Sequence, residues 1–561
     1  MWGEAWRGLS GEAKTREMTK GGRGDLVSYG KEAGSEVEGL GGGWESAAVS
    51  NAVAGQAPPL RHGTGWAEAP RGWDLDYGMD KGEGVYNVVV IGAGTAGLVT
   101  AAGTAGLGGR VALVEKHRMG GDCLNTGCVP SKALISSARL IEQIRQAEKW
   151  GLLPQEPHFQ IESVLARMRE RRARIAPHDS QERFESLGVD VFRGAAKFLS
   201  PREVRVGDSV LRARNFVIAT GSRAAIPAVD GLDRVPYYTN ETVFDELREK
   251  SGRLVVFGGG PIGCELGQVF GRLGFEVTIL QRPHRLLERE DPEASELLLR
   301  RLVAEGVNVV TGAQARVVAR HERTIRVWAD VEGEGSRRPI ECDAILVAAG
   351  RQPNTEDLDL EAAGVAFTKT GVTVNEYLQT SQPHIYAIGD AAGPHLFTHV
   401  ADSHARTVVR NILFPWWKVK REDTVIPWCT YTSPEVARVG LNEAEAEAKG
   451  IACDVWKEPL EDVDRAVLES EEEGFASVLT EKGGDRILGA TIVAERAGDL
   501  LHEFVLAMKA GVGLGEISRT IHAYPTYAEI ARKVADRQQK SRLTPLARKV
   551  FAAIYRLSRR S

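Results

Sequence analysis

From Val85 onwards, apolar runs of strand length alternate with stretches at helical spacing; before Val85 no period holds. Val85-Tyr86-Asn87-Val88-Val89-Val90-Ile91 is a nearly continuous apolar run, which predicts a strand buried on both faces. Gly92-Ala93-Gly94-Thr95-Ala96-Gly97 then opens a helix, and Arg110-Val111-Ala112-Leu113-Val114-Glu115 forms the next strand. Strand, glycine turn, helix and strand make a βαβ unit. A second copy follows: Leu254-Val255-Val256-Phe257, then Gly258-Gly259-Gly260-Pro261-Ile262-Gly263, then Glu276-Val277-Thr278-Ile279-Leu280. From about residue 425 shorter strands such as Arg486–Val493 mix with helices, which predicts an α+β module. The expected fold class is α/β, with two Rossmann-like nucleotide-binding domains and a C-terminal α+β domain.

Composition adds limits. At roughly 150 residues per domain, 561 residues predict three or four domains. A hydrophobic share of 43% and a charged share of 26% belong to a globular chain. A net charge of −5 gives no reason to expect a nucleic-acid partner. Residues 1–84 hold glycine and tryptophan without any period, so they read as a disordered leader or as the product of a mis-assigned start, with Met79 just ahead of the first strand. The N-terminus lacks the apolar core of a secretory signal, and no run is long enough to span a bilayer, so the expected location is the cytoplasm. Residues 541–561 carry six Arg or Lys and no acid, with Leu546, Val550, Phe551, Ile554 and Leu557 at helical spacing. That pattern predicts a basic amphipathic helix, either an interface or solvated terminal helix or one touching a membrane surface.

Each glycine-rich turn has a physical task. Gly92 allows the tight turn, Gly94 lets backbone approach a pyrophosphate, and Gly97 lets helix pack on strand. The pyrophosphate sits on the helix N-terminus, where free N–H groups favour it. Glu115 ends the second strand, placed to accept hydrogen bonds from ribose hydroxyls. In the second turn, Gly258, Gly260 and Gly263 repeat the pattern without the acid: Gln281 and Arg282 stand there, followed by His284 and Arg285. A carboxylate would repel a 2′-phosphate and cations attract one, so NADPH is expected rather than NADH.

Between the two turns lies Gly120-Gly121-Asp122-Cys123-Leu124-Asn125-Thr126-Gly127-Cys128-Val129-Pro130-Ser131-Lys132, ahead of a helix expected from Ala133 to about Trp150. In a regular helix the two Cys Cα atoms would lie roughly 8–9 Å apart, more than a disulfide allows. Gly127 and Pro130 permit the distortion that closes this gap. A helix start also favours a thiolate. A metal site would want more ligands, and no metal-ligating set is singled out. The remaining cysteines, Cys264, Cys342, Cys429 and Cys453, are isolated and read as core residues.

The two cysteines with Pro-Ser-Lys, set between two nucleotide cradles, resemble the pyridine nucleotide-disulfide oxidoreductases with a flavin, closest to the mercuric reductase and dihydrolipoamide dehydrogenase branch. Ala219-Thr220-Gly221-Ser222, Gly350-Arg351-Gln352-Pro353-Asn354-Thr355 and Ala387-Ile388-Gly389-Asp390 match as well. The resemblance implies an FAD domain in two segments, 85–230 and 346–424, an NAD(P) domain at 231–345 and a dimerisation domain at 425–540. It implies a homodimer that passes electrons from NADPH through FAD to a Cys123–Cys128 disulfide and on to a small-molecule acceptor. Cys128 would be the thiolate nearer the flavin and Cys123 the interchange thiol. Lys132 and Glu265 look like the family's ion pair beside the flavin. Thr220, Gly221, Ser222, Gly350, Gly389 and Asp390 would line the FAD site.

The pattern departs from the family at one place. Its thiol reductases carry a His before Pro, oriented by a Glu and supplied by the partner subunit. Here the stretch is His522-Ala523-Tyr524-Pro525-Thr526-Tyr527-Ala528-Glu529. Glu529 keeps its place, but Tyr524 occupies the base position, and an ordinary Tyr is a poor base at neutral pH. Either His522 takes over, or the acceptor needs little proton transfer, as a metal or a quinone does. The mercuric reductase branch also has Tyr in this region, but it carries a C-terminal cysteine pair, whereas the last cysteine here is Cys453. The acceptor therefore stays unassigned. A dihydrolipoamide dehydrogenase and a silent redox-sensing flavoprotein are the alternative readings.

Overall fold

The computed structural model describes residues 84–248, 252–333 and 338–559; the expected leader lies outside the described residues, apart from Gly84. Val85–Ile91 is the middle of a seven-stranded sheet in the order Val189–Arg193, Val111–Glu115, Val85–Ile91, Ser209–Ile218, Glu203–Val206, Ala196–Ser200, with Ile385–Ala387 also on Ser209–Ile218. Val88 pairs in parallel with Val111 on one side and Asn215 on the other. Val88, Val89 and Val90 are fully buried, the burial that an uninterrupted apolar run in a parallel sheet requires. Ile385–Ala387 returns to this sheet from beyond the second domain, so the first domain is built from two chain segments.

The second sheet runs Asn308–Thr311, Glu276–Gln281, Arg253–Phe257, Ala344–Val347, Tyr238–Thr239, with parallel pairing throughout. A boundary between residues 345 and 346, expected from the sequence, falls inside the strand Ala344–Val347; Ile345 and Leu346 pair with Val255 and Val256. The second nucleotide-binding unit therefore extends to Val347. The third sheet is antiparallel, in the order Pro427–Thr430, Glu435–Gly440, Ile487–Ala494, Phe475–Glu481, Cys453–Pro459. Helix Glu529–Ser541 covers it with Ile530, Ala531, Val534 and Ala535.

One buried apolar cluster joins Leu134 and Leu165, on helices of the first domain, to Phe270 and Leu298 of the second and to Val436 and Phe475 of the third sheet. Close-packed interiors resist sliding, so this cluster fixes the helix that carries the second cysteine against both neighbouring domains. That helix spans Cys128–Arg145, followed by a short 3₁₀ turn at Ala147–Trp150. The sequence-based start at Ala133 is corrected to Cys128: Pro130 sits in the first turn, where its missing N–H costs nothing.

Candidate functional site

The backbone explains the outer glycines of both cradles. Gly92 (φ +106°) would place a Cβ 2.3 Å from Ala219 O, and Gly258 (φ +109°) would place one 2.4 Å from Ala348 O. At Gly97 and Gly263 a Cβ would meet the carbonyl oxygens of Gly92 and Gly258 at 1.8 and 1.9 Å. The middle glycines face open space instead. Around Gly94 the nearest atom to a Cβ is Gly121 Cα at 3.8 Å, and around Gly260 nothing lies within 4 Å. Gly94 and Gly260 are also the N-caps of helices Thr95–Gly106 and Pro261–Arg272, and neither cap is satisfied by a side chain. Room beside a helix start with free N–H groups fits a pyrophosphate at each cradle.

The strand ends hold the cradles in shape. Glu115, buried, accepts from Ala93 N and His117 N, both at 2.7 Å. Gln281 occupies the same place in the second unit: its Oε1 accepts from Gly259 N at 2.7 Å, while its Nε2 donates to Arg285 O at 3.1 Å. Of the cations that follow, Arg282 is exposed on the cleft and has no acidic partner among the described residues. His284 instead pairs with Glu332 at 3.0 Å, and Arg285 donates to Glu288 O at 2.8 Å.

On the first domain, Thr220 Oγ1 donates to Asn354 O at 2.6 Å and Gly221 O accepts from Asn354 N. Ser222 Oγ donates to Asp390 Oδ2 at 2.5 Å. Gly221, Gly350 and Gly389 all have positive φ. Gly389 N donates to His404 Nδ1 at 3.3 Å. Burial depresses His404 to about 4, which keeps that ring neutral and able to accept. Burial pushes the Asp390 carboxyl up, against the pull of Ser222 and Arg351. Arg351, which sequence reasoning passed over inside its motif, ties these pieces together. It donates from Nε to Ser222 Oγ at 2.8 Å and pairs with Asp122 Oδ2 at 3.0 Å.

Asp122 in turn shapes the cysteine loop. Its Oδ1 accepts from Thr126 Oγ1 at 2.7 Å, and Asn240 reaches the same loop at Thr126 O, 3.2 Å away. Cys123 lies in a short helix Gly121–Asn125; Thr126 and Gly127 break it, and Cys128 is the first residue of the next. The separation of a regular helix therefore does not apply. The two thiols are unbridged, and both line the cleft. The neighbouring Cys123 thiol, with help from Lys132 and Thr398, lowers Cys128 to about 6 against the opposing effect of burial. Cys123, facing the Cys128 thiolate, is pushed up. Thr398 Oγ1, 3.6 Å from Cys128 Sγ, heads helix Thr398–Leu413 and was not foreseen as part of the site.

Lys132 Nζ and Glu265 Oε2 are 2.7 Å apart. Glu265 is buried and also accepts from Tyr431 N at 2.9 Å, and the Lys132 ammonium lies 4.4 Å over the Tyr431 ring. One side chain from each sheet's domain thus meets beside the thiols.

Three candidates stand apart from this group. Tyr524 is exposed and donates to Asp464 at 2.7 Å, a bond that raises its pKa further above the ordinary value. His522 is engaged at both ring nitrogens, by Glu503 at 2.9 Å and Thr520 O at 3.0 Å. Glu529 is buried against Arg532. None of the three lines the cleft within this chain.

That cleft, about 1810 Å³, runs from one cradle to the other and passes both thiols, Lys132, Asp390 and Arg282. The cleft has room for a dinucleotide at each cradle, with the two thiols between them. Residues 86–407 match the pyridine nucleotide-disulphide oxidoreductase family and residues 426–535 match its dimerisation domain, so the chain belongs to this family, which is FAD-dependent with NAD(P)H as electron donor. A mercuric reductase of Staphylococcus aureus is 35% identical over 81% of this chain and 82% of its own length. A dihydrolipoyl dehydrogenase of Thermus scotoductus is 36% identical over 82% of this chain and 99% of its own. Among solved structures, the HOCl-induced flavoprotein disulfide reductase RclA from Escherichia coli, in its Cu(II) complex, superposes with a TM-score of 0.72 at 26% identity, covering 81% of this chain and 99% of that one.

Proposed function

We propose that this protein is an NADPH-linked, FAD-dependent oxidoreductase, working as a homodimer, that passes electron pairs through Cys123 and Cys128 to a metal ion or quinone. The observation that carries the reading is the pair of free thiols, Cys123 and Cys128, lining one cleft between the two cradles. Gly94, Glu115, Thr220, Gly221, Ser222, Gly350, Gly389 and Asp390 would hold FAD, and Gly260, Gln281 and Arg282 would hold NADPH. Bound there, the two cofactors supply the reducing equivalents. Cys128 rests as a thiolate near neutral pH, while Cys123 keeps its proton and shares it with Cys128 Sγ. Moving that proton to Cys128 makes Cys123 Sγ the nucleophile that meets the acceptor. When the acceptor takes two electrons, the two sulfurs join as a disulfide and the single proton they shared leaves. Lys132, held by Glu265, stabilises the anionic sulfur.

Three features favour an acceptor that needs little proton transfer. Tyr524 holds its proton, His522 has no free nitrogen, and the structural relative is known as a Cu(II) complex. Gln281, and Arg282 with no acidic partner among the described residues, support NADPH over NADH. Leu468, Leu506, Ile521 and Tyr524 leave apolar surface exposed on the third domain, which a second copy would cover. The test is NADPH oxidation against Hg(II), Cu(II), quinones, oxygen, glutathione disulfide and lipoamide. Metal or quinone turnover should lead the series. NADH-linked lipoamide turnover above all others would replace this reading with a dihydrolipoyl dehydrogenase.

A further inference from the structure

The chain ends in two consecutive helices that behave oppositely. Glu529–Ser541 buries Ile530, Ala531, Val534 and Ala535 against the third sheet. Pro545–Ser558 buries nothing. Its start is well formed, since Thr544 Oγ1 accepts from Ala547 N at 3.2 Å and Pro545 takes the first position. Leu546, Val550, Ile554 and Leu557 follow four-, four- and three-residue steps down one side, with Phe551 beside them, and these five are 49–72% exposed. At 100° per residue, Arg548, Lys549, Arg556 and Arg559 fall on the other side. No Asp or Glu occurs after Asp536.

A 14-residue helix is marginal alone in water, so its apolar stripe calls for a partner. The polar face narrows the choice. That face carries cations only, although the whole chain has a net charge of −5, so the partner it complements is anionic. A nucleic acid would satisfy the cations and leave the apolar stripe wet. Pairing with the same helix of a second copy would bring like charges together. An anionic lipid surface meets both needs, taking the stripe among acyl chains and the cations among headgroups. Among the described residues no helix is long and apolar enough to cross a membrane, so the contact lies in the interface plane. We infer that Pro545–Ser558 docks the enzyme on anionic lipid bilayers.

The experiment uses the full-length flavoprotein and sucrose-loaded vesicles of phosphatidylcholine, with and without about one quarter phosphatidylglycerol. Sedimentation should recover at least about tenfold more protein with the anionic vesicles, and about 0.5 M salt should release much of it. Ending the chain after Lys540 should abolish binding while flavin content, dimer size and NADPH oxidation stay unchanged. Phe551→Glu with Ile554→Glu should do the same, and Arg548→Glu with Lys549→Glu should lower binding about tenfold. Three results would overturn the inference: no sedimentation with anionic vesicles, sedimentation that survives truncation, or a truncated chain that becomes monomeric, since the partner would then be a second copy.

Discussion

The two glycine cradles are nearly the same backbone with different charge at one strand end. In both, the residue that ends the second strand accepts from a cradle amide at 2.7 Å: Glu115 from Ala93 N, Gln281 from Gly259 N. The shared job is structural, because an orphaned N–H in the cradle would be costly. The difference lies in the other arm. Glu115 accepts a second amide, from His117, whereas Gln281 donates to Arg285 O. A carboxylate cannot donate, so the second cradle is built around an amide, and the neighbouring Arg282 faces the cleft without an acidic partner among the described residues. The proposed preference for NADPH would then be a by-product of how the second cradle braces itself.

The sharpest way to break this comparison is to add one methyl group. Gly97→Ala and Gly263→Ala place a Cβ against backbone oxygen at 1.8 and 1.9 Å, so each should cost more than about 3 kcal/mol. Gly260→Ala, with open space around it, should keep the native melting temperature and weaken NADPH binding alone. Thermal unfolding with flavin release and NADPH titration separates the three; equal destabilisation by all of them would refute the division of labour.

Gln281→Glu comes next. It keeps the acceptor for Gly259 N but loses the donor to Arg285 O and adds charge. The NADPH/NADH ratio of kcat/KM should fall by at least about tenfold, or about 1.4 kcal/mol. An unchanged ratio would sink the charge argument. The converse, Glu115→Gln, removes one acceptor from His117 N and should cost about 1–3 kcal/mol of stability, read by urea unfolding of the flavoprotein.

Lys132→Met tests the contact that joins the two halves. Cys128 is lowered to about 6 partly by Lys132, so losing the cation should raise the midpoint of its alkylation by about one pH unit. The sign is fixed because iodoacetamide reacts with the thiolate, which exists above the pKa. The smallest effect belongs to the outlying stretch. Tyr524→His should raise lipoamide turnover a few-fold with stability changed by less than about 0.5 kcal/mol, as the side chain is exposed. A fall in lipoamide turnover would give Tyr524 a role of its own.

Much of this was legible in the chain because the requirements are local. Positive φ and backbone contact select glycine at Gly92 and Gly258 whatever surrounds them, and a sheet covered on both faces needs the run Val88–Ile91. The boundary near residue 345 was misplaced because the apolar run Ala344–Val347 continues into Ala348 and Ala349 without a turn signal; only its pairing with Arg253–Phe257 assigns it. The helix start was misplaced because Pro130 reads as a breaker, although a first turn tolerates it. Arg351 and Thr398 escaped notice because their partners, Asp122 and Cys128, are more than two hundred residues away.

By itself, then, the sequence determined the two cradles, the cysteine pair and the family, since each depends on backbone conformation and spacing within a short segment. Only the tertiary structure brings Thr398 to 3.6 Å from Cys128 and Glu265 onto Lys132, because these partners lie more than a hundred residues apart in the chain. It also decided that the last helix has no place in the core. Amphipathic spacing shows that an apolar face exists, but only packing shows whether the protein covers it.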